Sequence, residues 1–208
     1  MRNYNINGIV LKNTNYKDSD KIYSILTREL GKISVLGKGV RKISSRRSGN
    51  LDTINLISAK ISESSKGFKR VEEVKTINSF KEIKKSYDLA CSAYYMAELI
   101  YRNSEEGEES ETVFNLFINC LKALPNSRVS TRLIVNHFEL GLLKIMGYGF
   151  QVGSNTSKEI ANILIKLQEG RFPKEISQTN EEEINKIVKG FLIKHLDSKI
   201  KSLELSFK

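Results

Sequence analysis

Apolar and polar residues alternate with a period of two as far as Ile77, and from Ser79 onward the apolar positions recur at helical spacing instead. Alternation over 6–12, 21–28, 33–36, 54–62 and 68–77 predicts five short strands, separated by the turns Tyr16-Lys17-Asp18-Ser19-Asp20, Glu29-Leu30-Gly31-Lys32 and Ser64-Ser65-Lys66-Gly67. Five strands with no helix among them suggest a small closed barrel, because an open sheet leaves edges that a soluble protein must cover.

The second half reads as a helical bundle. Ser79-Phe80-Lys81-Glu82 has the pattern of a capping box and predicts one helix over 79–101, with an apolar stripe through Ile83, Tyr87, Ala90, Tyr94, Ala97 and Tyr101. Further helices are predicted over 111–124, 129–146, 157–167 and 181–196, with Pro125-Asn126-Ser127 and Gly147-Tyr148-Gly149 as breaks. The expected class is α+β, with a barrel over 1–79 and a helical bundle over 80–208.

Charge divides the chain at the same place. Residues 1–80 hold 16 Lys and Arg against 7 Asp and Glu, and residues 81–208 hold 18 against 17, so nearly all of the net charge of +10 lies in the strand half. Its densest run is Gly31 to Arg47, in which the predicted third strand crosses Gly37 and Gly39 into a loop carrying Lys38, Arg41, Lys42, Arg46 and Arg47 without an acid. Such a loop repels itself and suits a polyanion whose counterions it displaces, with the glycines letting backbone approach the ligand. A solvated surface loop has the same composition. The candidate set for contacting a nucleic acid or an anionic membrane surface is these five cations, Lys32 and Tyr16; Tyr16 and Tyr23 flank a turn where rings can stack on bases or pack ordinarily.

Other chemistry is sparse. Gly31 to Gly39 is not a Walker loop, because its spacing is wrong and Gly39 stands where the magnesium-binding hydroxyl belongs. His137 and His195 fall in helical stripes with no nucleophile or carboxylate arranged beside them, and Cys91 and Cys120 read as buried thiols in separate helices. No catalysis, cofactor or metal is expected. The N-terminus lacks a secretory apolar run and no stretch suits a membrane span, so a cytoplasmic protein with no membrane partner is expected.

Four segments in order carry a family resemblance: Gly8-Ile9-Val10-Leu11-Lys12, Tyr16-Lys17-Asp18-Ser19-Asp20-Lys21-Ile22, Leu26-Thr27-Arg28-Glu29-Leu30-Gly31-Lys32 and Gly37-Lys38-Gly39-Val40-Arg41. With His195-Leu196-Asp197-Ser198-Lys199-Ile200-Lys201-Ser202-Leu203-Glu204 near the C-terminus, they resemble the bacterial RecO family of DNA repair and recombination proteins. The resemblance implies an oligonucleotide-binding (OB-fold) barrel and a helical domain. It also implies a non-enzymatic protein that binds single- and double-stranded DNA, anneals strands, and acts with RecR to load recombinase on DNA coated by single-strand-binding protein. Many members carry two Cys-x-x-Cys zinc pairs after the Gly-Tyr that closes a helix. Here Gly147-Tyr148-Gly149-Phe150-Gln151-Val152-Gly153 holds no cysteine, so that module is missing or shortened. The family's contact with the acidic tail of single-strand-binding protein is expected at Arg128 and Arg132, on one face at the start of a helix, with Lys122 and Leu133 completing the slot. The arginines are equally readable as solvated residues or as partners of acids such as Glu139. A protein-interaction adaptor and an RNA-binding factor are rival readings of barrel and charge alone.

Overall fold

The computed structural model describes residues 2–42, 45, 47–107, 111–126, 128–153 and 156–196. Five strands come first: β1 (Arg2–Tyr16), β2 (Asp20–Thr27), β3 (Gly31–Gly37), β4 (Leu56–Glu63) and β5 (Lys69–Asn78). Six helices follow: α1 (Lys81–Lys85), α2 (Tyr87–Asn103), α3 (Glu111–Ala123), α4 (Thr131–Ile145), α5 (Lys158–Gln168) and α6 (Gln178–His195). The layout is α+β.

The strands pair in the order β1-β2-β3-β5-β4, and β4 returns to β1 so that the pairings close. All joins are antiparallel except β3 with β5, which meet in parallel at the single register pair Leu36 and Arg70. β1 is far longer than the alternation suggests, because its first half pairs with β4 and its second half with β2. An irregularity between Val10 and Lys12 redirects it between the two partners.

Inward side chains of every strand, among them Ile6, Val10, Tyr23, Ile25, Val35, Ile57, Ile61 and Val71, fill a core between the strands, which Val40 and Leu51 of the long β3–β4 connection complete. A second core lies where the helices cover the sheet. Ile9, Leu11 and Leu26 there meet Ile83, Tyr95, Met96, Leu99, Phe114 and Phe138. A third joins α4, α5 and α6 through Leu133, Leu140, Ile160, Leu164, Ile184 and Val188.

Three expectations change. Ile54 precedes its strand in a left-handed conformation (φ 63°), with its amide donating to Val10 O at 2.8 Å and its side chain fully buried. The expected capping box is not formed: Phe80, not Ser79, caps α1, also left-handed (φ 47°), and its own amide donates to Asn78 Oδ1 at 2.8 Å. Burial of the Phe80 ring offsets that backbone strain. The single helix expected over 79–101 is two, because Ser86 is extended (ψ 125°) and interrupts the hydrogen-bond ladder between α1 and α2.

Candidate nucleic-acid interface

The basic loop is held by the turn on which it lies. Beyond β3, Gly39 takes φ +67° and donates its amide to Asp20 Oδ1 at 2.7 Å, while Arg41 N donates to Ser19 O at 3.0 Å. The Gly39 amide, with the Ser19 hydroxyl and the charges of Lys38 and Lys17, holds the Asp20 carboxyl below the usual carboxylate range. No acid interrupts the loop in sequence, yet one from the β1–β2 turn shapes it in space. Lys17, Lys38, Arg41 and Lys42 are all exposed around this junction, and the Arg41 guanidinium approaches Lys17 O at 3.4 Å.

The loop glycines serve the fold rather than a ligand. A Cβ on Gly37 would stand 2.7 Å from the Tyr23 ring and 2.9 Å from Val40, so this glycine exists to let β3 pack on Tyr23. Gly39 is required by its positive φ.

Beside the loop lies a groove of about 620 Å³ between β3, flanked by Tyr16 and Ile22, and the β4–β5 turn with the start of β5. Thr14, Ile22, Leu36 and Arg70 lie opposite one another in turn across β1, β2, β3 and β5, and Lys12, Ser24 and Ser34 form the adjacent row; Ile22, Leu36, Arg70 and Ser34 of these rows line the groove. Tyr16 at the end of β1 is 42% exposed and lies under the Lys17 ammonium at 5.4 Å. Phe68, 74% exposed, stands on the β4–β5 turn, which is tied by Ser64 N to Phe68 O at 3.0 Å and opened by Gly67 at φ +78°.

One wall of the groove is acidic. Glu106, from the segment after α2, forms a parallel bridge with Lys32 on the edge of β3 and accepts a hydrogen bond from the Ser34 hydroxyl. Gly107 N donates to Lys32 O at 3.0 Å. The groove thus offers aromatic rings and apolar floor to bases, cations at one rim for phosphates, and a carboxylate at the other rim that repels them.

The expected site residues separate into groups. Lys38, Arg41 and Lys42 gather at the exposed junction, and Tyr16 enters the groove. Arg47 is half-buried, its guanidinium directed at Val71 O at 3.4 Å; Arg46 lies outside the described residues. Tyr23 is buried under the sheet and stacks on nothing outside it. Lys32 sits at the other end of β3 from the basic loop, donating to Tyr101 O at 2.8 Å, and burial lowers its pKa. It belongs to the contact between sheet and α2. Ile22, Phe68 and Arg70 were not among the expected contacts. A phenylalanine beside a turn glycine was the one legible signal.

The expected peptide slot is not assembled from its four residues. α4 begins at Thr131, capped by the Ser130 hydroxyl accepting from Arg132 N, so Arg128 precedes the helix and shares no helical face with Arg132. Leu133 is buried in the core between α4, α5 and α6, and Lys122 lines a separate cleft with Phe80, Ile83 and Pro125. Glu139 pairs with neither arginine: it is wholly buried and takes Lys189 Nζ at 2.5 Å.

Cys120 is buried, which pushes its thiol up to about 12, whereas Cys91 is only half-buried, contrary to expectation. Among the described residues no three His, Cys, Asp or Glu side chains cluster as metal ligands, and no helix is long and apolar enough to cross a membrane.

Comparison with known proteins matches both halves. The family model described as Recombination protein O N terminal matches residues 1–80, and Recombination protein O C terminal matches residues 85–158. A DNA repair protein RecO from Dehalococcoides mccartyi is 32% identical over 161 residues, covering 77% of this chain and 61% of that protein. Those from Clostridium perfringens and Bacillus pumilus are 31% and 33% identical, covering 69% and 67% of this chain and 58% and 54% of theirs. The match therefore spans a little over half of each relative's length. With both halves matched in order, from the strands through α4, the chain belongs to the RecO family.

Proposed function

We propose that this protein is a non-catalytic mediator of DNA repair and recombination that binds DNA in the groove between β3 and the β4–β5 turn. The observation that carries the reading is the groove, bearing Tyr16 and Phe68, with the exposed cluster of Lys17, Lys38, Arg41 and Lys42 adjoining it through Lys17, which lies over the Tyr16 ring. Rings that stack on any base and cations that track the backbone are what sequence-tolerant single-strand binding needs. On this reading residues 1–79 form an OB-fold barrel and 80–208 a helical domain. The cation cluster, standing beside the groove rather than inside it, also engages duplex phosphates, so that two strands are held together for annealing. RecR and the acidic tail of single-strand-binding protein are the proposed protein partners. The arginines Arg128 and Arg132 remain candidates for the tail, acting as two separate contacts.

The test is a mobility shift with single-stranded DNA, duplex DNA and RNA of equal length at two salt concentrations, followed by annealing of complementary strands. Salt-sensitive binding to both DNA forms with accelerated annealing is expected. Binding to RNA alone, or to none of the three, overturns the reading.

A further inference from the structure

Tyr87, Tyr94 and Tyr101 stand at seven-residue intervals along α2. Seven residues fall about 20° short of two full turns, so the three side chains share one nearly straight row with a spacing of about 10.5 Å. Tyr87 is 71% and Tyr94 40% exposed, while Tyr101 is half-buried. Tyr94 and Tyr101 line a cleft with Lys12, Asn13 and Thr53 where α2 crosses β1. The Lys12 ammonium lies 4.4 Å from the Tyr101 ring centre and that of Lys32 5.3 Å. Glu98, which also lines the cleft, pairs with Arg102, and Asp52 pairs with Lys84, each at 2.7 Å, while Lys32 faces Glu105 and Glu106. Lys12, exposed at the cleft, is the cation placed to meet a phosphate beside the row.

The row is continuous with the groove. Lys12, Thr14 and Tyr16 occupy one face of β1, opposite Ser24, Ile22 and Asp20 of β2. That strand face is about 13 Å long, and it joins Tyr16 in the groove to Lys12 in the cleft. A chain that follows it arrives at the tyrosines.

We propose that a single-stranded nucleic acid occupying the groove continues past Tyr16 along this face of β1 and stacks its bases on Tyr94 and Tyr87, making α2 a second binding segment. The inference rests on the DNA-binding reading above. It calls for single strands because a paired base hides its faces in the stack, and for unspecific sequence because every base has a π-face.

The experiment measures, by fluorescence anisotropy, the affinity of labelled oligothymidylate of two lengths: about 8 nucleotides, within the reach of one barrel, and about 24. Wild type is compared with the Tyr87→Ala, Tyr94→Ala double variant and with Tyr87→Phe, Tyr94→Phe, which keeps the rings; thermal melting checks that each is folded. The alanine variant is expected to lose roughly tenfold or more in affinity for the long oligonucleotide while matching wild type on the short one, with the phenylalanine variant near wild type on both. Unchanged affinity of the alanine variant for the long oligonucleotide overturns the inference and leaves the groove reading intact. Equal loss by the phenylalanine variant overturns stacking. Failure of every form, wild type included, to bind either length removes the DNA-binding reading and this inference with it.

Discussion

The strand half and the helical half treat charge in opposite ways. Among the described residues the strand half buries only neutral polar groups, Thr27, Asn55 and Ser62, and leaves its excess of cations at or near the surface. In the helical half Glu139 of α4 is 0% exposed and accepts from the Tyr95 hydroxyl of α2 and from Lys189 of α6. Lys189 also reaches Tyr95 Oη at 2.7 Å and lies 4.1 Å from its ring centre. Charge outside is open to the proposed ligand, whereas charge inside joins three helices. A surface cation should therefore be dispensable for stability and costly for binding, and an internal one the reverse.

The sharpest test of that contrast is Lys189→Met. It leaves the Glu139 carboxylate buried without its cation, and unfolding by urea is expected to show a loss of about 3–5 kcal/mol. DNA affinity of the folded fraction should not move. Next is Gly37→Ala, whose new methyl meets the Tyr23 ring and Val40. Overpacking of this kind costs about 1–3 kcal/mol, read as a lowered urea midpoint, although the substitution lies beside the cations and adds no charge.

The converse experiment replaces Lys38, Arg41 and Lys42 together by alanine. Stability should stay within about 0.5 kcal/mol of wild type per exposed site. Binding should weaken for all sequences, and the slope of log affinity against log salt should flatten by about 0.7 per lost phosphate contact on single strands. An unchanged slope moves the phosphate contacts elsewhere.

The smallest expected effect belongs to Asp20→Asn. The folded-state pKa of Asp20 is depressed, chiefly by the Gly39 amide, so its contribution to stability is present above the unfolded carboxylate value of about 3.9 and is lost as pH falls through the folded value. The difference in melting temperature between wild type and Asp20→Asn should accordingly be present at neutral pH and disappear in acid. A difference that persists undiminished at pH 2, or about there, assigns the effect of the substitution to packing instead.

Sequence alone determined the change from strands to helices near residue 80, because the spacing of apolar residues is a local property that each element carries with it. It also determined where positive charge concentrates, and through four ordered segments it determined the family. Elements with local signals, such as α3 and the α5 start at the Ser157 cap, lie within a residue or two of expectation. Only tertiary structure decided that Ser86 would split a helix containing neither proline nor glycine, and that Phe80 would enter the core at the expense of a capping box. Only it decided the fates of the cations and rings. Lys32 and Lys38 are near neighbours in sequence, yet β3 carries one to Tyr101 and the other to the exposed junction beside Asp20. Tyr16 and Tyr23 flank the same turn, but the pleat sends one outward and the other inward against Gly37. The groove draws Tyr16 from β1, Ile22 from β2, Leu36 from β3 and Arg70 from β5, and Glu106 enters from beyond α2. Such a site is made of long-range pairings, whose register depends on how the whole sheet closes and not on any short stretch of chain.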